Sequence, residues 1–88
     1  MNIPTENPGE TLSEIVRRHV CAYFKSHGDT VPSSGIYNRF MPLMEKPLIE
    51  ITLEATGGNQ IKAAKILGIN RNTLRKKISE LGISIVRR

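Results

Sequence analysis

The sequence predicts an all-α domain of four helices. Three observations lead there. Apolar residues recur at helical spacing in the segments between residues 12 and 81. Cap-type residues open these segments, and a glycine closes each of them, at residues 28, 57, 68 and 82. The chain has only 88 residues, 39% of them hydrophobic and 5% aromatic, so it forms one small domain with little ring area for a core. A domain of this size needs a second source of burial. The single Cys21 excludes an internal disulfide and a Cys-rich zinc site. A second subunit is the expected source.

The first helix is expected over residues 11–27. Thr11 and Glu14 fit a capping box. Leu12, Ile15, Val16, His19, Val20 and Tyr23 follow at helical spacing, and Gly28 is the stop. Residues 29–35 form a loop containing Pro32, in which Ser33 or Ser34 caps the next element. That element runs to Thr56. Ile36, Phe40, Leu43, Met44, Pro47, Leu48, Ile51 and Ala55 share one face, with Ile49 and Leu53 extending it. Pro42 and Pro47 each remove an N–H and crowd the preceding turn, so a short first piece is expected, then a long helix over 42–56 or one kinked at Pro47. The apolar face is too wide for one neighbour. Asn59 caps a short third helix whose Ile61, Ala64 and Leu67, with Ala63, face inward. Gly68 ends it, Ile69 plugs the turn, and Asn70 caps a fourth helix carrying Leu74, Ile78 and Leu81 inward. Gly82 ends that helix, with Ile83 folding back in a Schellman-type cap. The expected organisation is a flexible tail or linker stump over 1–10, dimerisation helices over 11–56 and a helix-turn-helix unit over 57–88.

The formal net charge is +5, from 13 Lys and Arg against 8 Asp and Glu. Its distribution is uneven. Residues 1–30 and 31–56 each carry a net −1, while residues 57–88 carry +7, with Glu80 their only acid. Such asymmetry points to a polyanion bound by one end of the molecule. Two short helices joined by a glycine turn, with small Ala63 and Ala64 permitting close approach, describe a helix-turn-helix. The outer face of the last helix carries Arg71, Asn72, Arg75, Lys76 and Ser79, with Thr73 and Lys77 at its flanks. These are the types that read a major groove: Arg for guanine edges, Asn for adenine, Thr for a thymine methyl or a phosphate, Lys for phosphates. A basic run alone is usually a solvated helix face; the motif ahead of it gives this one a purpose.

The stretch GGNQIKAAKILGINRNTLRKK over residues 57–77 resembles the Fis-type helix-turn-helix family, and PLIEI over 47–51 resembles the second helix of that family. Within it, residues 47–83 are most similar to the C-terminal domains of NtrC-type nitrogen regulators; residues 11–44 match only in layout. The resemblance implies a homodimer whose first two helices form an intertwined four-helix bundle. Leu12, Ile15, Val16, Val20, Tyr23, Leu43, Leu48 and Ile51 are then the dimer contacts. It implies Arg71 as the main guanine contact, with Thr73, Arg75 and Lys76 as further DNA contacts and Asn59 and Asn70 near phosphates. Asn72 departs from the nucleoid protein Fis and agrees with NtrC. With Lys62 and Lys77 added as phosphate contacts, the expected base-reading set is Arg71, Asn72, Thr73, Arg75 and Lys76. The expected partner is double-stranded DNA with inverted half-sites, bent to meet two closely spaced recognition helices. In full-length relatives of this type a receiver domain and an ATPase domain acting on sigma-54 RNA polymerase precede such a domain. Residues 57–62 lack the Gly-Lys-Ser/Thr ending of a Walker A loop. The Pro-containing start fits the linker stump of an excised domain; the alternative is a stand-alone Fis-like DNA-bending protein.

Other features carry less. His19 is expected as a packed or rim histidine, with no second metal ligand near it, and Cys21 as an unreactive thiol. Met41 and Met44 fill gaps, and Arg17 and Arg18 belong to a solvated face. His27, Asp29, Ser33 and Ser34 lie close in sequence but without a nucleophile elbow or oxyanion-hole motif, so no enzyme, metal or cofactor is expected. No apolar run reaches the roughly 18 residues of a membrane span, and residues 1–10 lack the basic and apolar segments of a signal peptide. A cytoplasmic, nucleoid-associated location follows as the expectation. A pure protein-interaction module would account for the wide apolar face but not for the basic helix-turn-helix.

Overall fold

The computed structural model describes residues 9–28 and 34–85. Among them the chain forms four helices and no strand: α1 (Leu12–Lys25), α2 (Ile36–Ala55), α3 (Gln60–Leu67) and α4 (Arg71–Glu80). They fall into two compact units, Met1–Ser34 and Gly35–Arg88. The all-α expectation holds. Residues 1–8, the Pro32 loop over 29–33, and Arg87 and Arg88 lie outside the described residues.

In the first unit, Thr11 sits at the N-cap, where its Oγ1 accepts the Glu14 N–H at 3.2 Å. Glu10, just before the cap, is held by Arg18 at 2.9 Å, so Arg18 is part of an ion pair rather than of a purely solvated face. The helix is shorter than the 11–27 expected: Lys25 is its last residue, and a turn through Ser26 and His27 closes it. Ile15, Val16, Val20 and Tyr23 are half-buried and Leu12 is exposed, but no α1 residue is fully buried.

In the second unit, α2 runs without interruption from Ile36 to Ala55, with Pro42 and Pro47 inside it. The separate first piece expected ahead of Pro42 does not exist. Each proline deletes one intrahelical bond, to the carbonyl four residues back, but the bonds on either side still close the turn. The start also differs from expectation. Gly35 at φ +84° is the N-cap, and no side chain caps it, so Ser34 does not fill that role.

One hydrophobic cluster holds α2, α3 and α4 together: Ile49, Leu53, Ala63, Ala64, Leu74, Ile78 and Ile83 are all buried, with Leu67, Leu81 and Ile85 packed against them. Leu74 and Ala63 have no exposed surface at all. The division expected between residues 56 and 57 thus runs through elements that share a core. Ile49 and Leu53, at the margin of the α2 stripe, make the core contact, while Leu43, Leu48 and Ile51 remain 66%, 59% and 64% exposed. Two inward assignments are corrected. Ile61 is exposed because Ala63 and Ala64 are the residues turned towards α2 and α4, and Ile69 is more than a third exposed rather than plugging the turn.

The turn between α3 and α4 is built from the backbone. Gly68 adopts φ +76°, a left-handed conformation that glycine enters without a Cβ penalty. The Ile69 N–H then bonds the Ala64 carbonyl at 3.0 Å and the Gly68 N–H bonds the Lys65 carbonyl at 3.2 Å, which completes a Schellman motif. Gly82 repeats the arrangement after α4, where the Ile83 N–H reaches the Ile78 carbonyl at 3.0 Å and carries Ile83 into the core as expected.

Candidate nucleic-acid interface

The recognition surface begins with two asparagine caps. Asn59 Oδ1 accepts the Lys62 N–H at 3.1 Å, and Asn70 Oδ1 accepts the Asn72 N–H at 2.7 Å. Each cap satisfies an orphan donor at its helix start and sets the direction of the first turn. From Asn70 onward, Leu74 and Ile78 fasten α4 to the core. The rest of the helix is thereby rotated outward: Arg71, Asn72, Thr73, Arg75, Lys76 and Ser79 are all exposed. An exposed helix face of this composition can present Arg and Asn forks to base edges and Lys to phosphates.

The structure brings Arg71 and Arg75 together with residues from another element. Both arginines line an open groove whose other wall is Gly58, Asn59, Gln60 and Ile61, at the start of α3. Two guanidinium groups therefore flank the positive end of a helix dipole, where anionic oxygens are favoured. Gln60 and Ile61 were not among the expected site residues; their place in the groove depends on how α3 crosses α4. Lys62 is exposed on α3.

Lys76 and Lys77, adjacent in sequence, differ in environment. Lys76 is well exposed, with a loose contact of 3.9 Å to Glu80. The Lys77 ammonium lies 2.9 Å from a Glu45 carboxylate oxygen on α2. The hydrogen bond to Glu45 and its charge raise the Lys77 pKa above the ordinary lysine value; burial opposes this slightly, and Glu80 and Tyr37 add to the rise. Lys77 thus stands on a different flank of α4 from Arg71 and Arg75.

On α1, His19 and Cys21 are exposed. Among the described residues no group of three or more His, Cys, Asp or Glu side chains could hold a metal ion, and no helix is long and apolar enough to cross a membrane.

A bacterial regulatory protein family, Fis, matches residues 40–81, which take in most of α2 and all of α3 and α4. The chain is 56% identical over 85 residues to the DNA-binding transcriptional regulator NtrC of Azospirillum brasilense, covering 96% of this chain and 18% of that protein. It is equally identical over 77 residues to NtrC of Rhizobium meliloti, covering 88% of this chain and 16% of the relative. A protein of Neisseria meningitidis serogroup B described as Fis-like and DNA-binding is 43% identical over 72 residues, 82% of this chain and 90% of its own length. A helix-turn-helix with an exposed basic face, matched along its length in this way, is a DNA-binding domain. The chain belongs to the Fis family of bacterial regulatory proteins. It spans less than a fifth of the length of the NtrC relatives it matches.

Proposed function

We propose that this chain is the DNA-binding domain of an NtrC-like, sigma-54-dependent activator of nitrogen-regulated genes, and that it binds inverted half-sites as a homodimer. The observation that carries the DNA reading is the groove in which Arg71 and Arg75 meet the start of α3 within the +7 segment. Arg71, Arg75 and Lys76 would take guanine edges, Asn72 adenine, and Thr73 a thymine methyl or a phosphate. Asn59, Lys62 and Asn70 would contact phosphates and fix the register. Lys77 is engaged by Glu45 instead.

The exposed α2 stripe of Leu43, Leu48 and Ile51, with an α1 in which no residue is fully buried, supports a homodimer. Two-fold symmetry would present two recognition helices to inverted half-sites, with bending of the DNA where the helices are close together. The identity to NtrC over nearly the whole chain favours tethering of receiver and ATPase domains at an enhancer. The Neisseria relative, covered over 90% of its length, favours a second reading as a stand-alone Fis-like protein. A continuous reading frame upstream of Met1 encoding an ATPase supports the first; a stop directly upstream supports the second.

The site is tested by fluorescence anisotropy against a selected duplex and a scrambled one across a salt series. Arg71→Ala is expected to cost about 1–3 kcal/mol on the selected duplex and little on the scrambled one. Equal losses on both would make Arg71 a phosphate contact only.

A further inference from the structure

We propose that Glu45 is a positioning residue of the interface: it holds Lys77 against α2, so that this cation anchors the recognition helix instead of neutralising a phosphate. The proposal rests on the DNA-binding reading above. Its basis is the charge that borders each of two packing stripes. On α2, Glu45 lies four and eight residues before Ile49 and Leu53, the two residues that enter the core. On α4, Lys77 occupies the i+3 place in the stripe of Leu74, Ile78 and Leu81. A charge therefore borders each stripe, and the two charges meet at 2.9 Å on the rim of the core, with side chains 36% and 27% exposed.

The position on the helix matters as much as the distance. At about 100° per residue, Lys77 stands about 120° from Arg71 and about 160° from Arg75 around α4. The arginines line the groove shared with α3. Lys77 lines a separate groove between α2 and α4, beside Tyr37, Met41 and Glu45. An ammonium already paired with a carboxylate offers a polyphosphate little net charge, so it releases no counterion on binding. Lys76 and Lys77, neighbours in one basic run, are thereby assigned different tasks.

The test is the salt dependence of binding to a labelled mixed-sequence duplex of about three helical turns, for the wild-type chain, Glu45→Gln and the double variant Glu45→Gln/Lys77→Met. Wild type and double variant are matched in local net charge. Freed from its partner in Glu45→Gln, Lys77 is expected to reach a phosphate. With one extra phosphate per protomer, the slope of log K against log salt should then steepen by about 1.8 for the dimer, an extra affinity loss of about 12-fold between 50 and 200 mM salt. The double variant should return to the wild-type slope. Circular dichroism at the assay temperature shows that each variant is folded. Three results would overturn the proposal. A double variant flatter than wild type makes Lys77 a phosphate contact already. A Glu45→Gln slope equal to wild type means the carboxylate withholds nothing. A double variant that keeps the Glu45→Gln slope means Glu45 acts by repelling DNA, not through Lys77. A wild-type chain without salt-dependent binding would instead overturn the DNA reading, and the proposal with it.

Discussion

Ile51→Lys probes the proposed dimer most directly. Ile51 sits mid-helix on α2 and keeps 64% of its surface exposed in the single chain. Full burial of an isoleucine side chain is worth about 1.5–3 kcal/mol, so hiding the remaining three-fifths is worth about 1–2 kcal/mol. Two-fold symmetry counts the residue twice, which makes about 2–4 kcal/mol per dimer, or about 30- to 700-fold in the dissociation constant. Lysine adds a further penalty, because two ammonium groups would approach each other at a surface stripped of water. The fold of the unit should survive, since an exposed substitution away from the core shifts stability by only about 0.5 kcal/mol. Sedimentation equilibrium over a concentration series reads the dimer, and a thermal melt in parallel reads the fold. On inverted half-sites the variant should protect each half independently, without the mutual reinforcement of a joined pair. A folded Ile51→Lys variant with unchanged dimerisation would refute the assignment of this stripe.

Two predictions concern the frame that presents the site. Gly68→Ala places a Cβ that meets no atom within 4 Å, so its cost should be the left-handed backbone alone, about 1–2 kcal/mol. In a melting curve this is a fall of about 4–8 °C per kcal/mol, and an unchanged melting temperature would contradict the strain assigned to φ +76°. Leu74→Ala removes a side chain with no exposed surface from the centre of the cluster, and should cost about 2–5 kcal/mol. Urea unfolding should show a lower midpoint at the same slope; a loss under about 1 kcal/mol would mean that the core repacks around the missing atoms.

The starts of α1, α3 and α4 and the ends of α3 and α4 were legible because capping is local. Thr11, Asn59 and Asn70 each bond a donor two or three residues away, and Gly68 and Gly82 close their helices through bonds spanning five residues. The outward face of α4 was legible for the same reason, since Leu74 and Ile78 turn the polar residues outward wherever the helix packs. The α2 helix was less so. Its prolines signal a break to a local rule, yet the helix continues through them.

What α2 does with its apolar residues could not be read from periodicity, because its broad stripe offers several equivalent faces. Packing against Ala63 and Ala64 selects Ile49 and Leu53 for the core and leaves Leu48 and Ile51 outside. The same long-range choice turns Ile61 to the groove and places Glu45 beside Lys77. The short-range chemistry of caps, glycine turns and charge thus determined that this is a basic helix-turn-helix. The tertiary structure decided which of its cations stay available and which apolar face stays open, because both depend on contacts between residues more than ten positions apart.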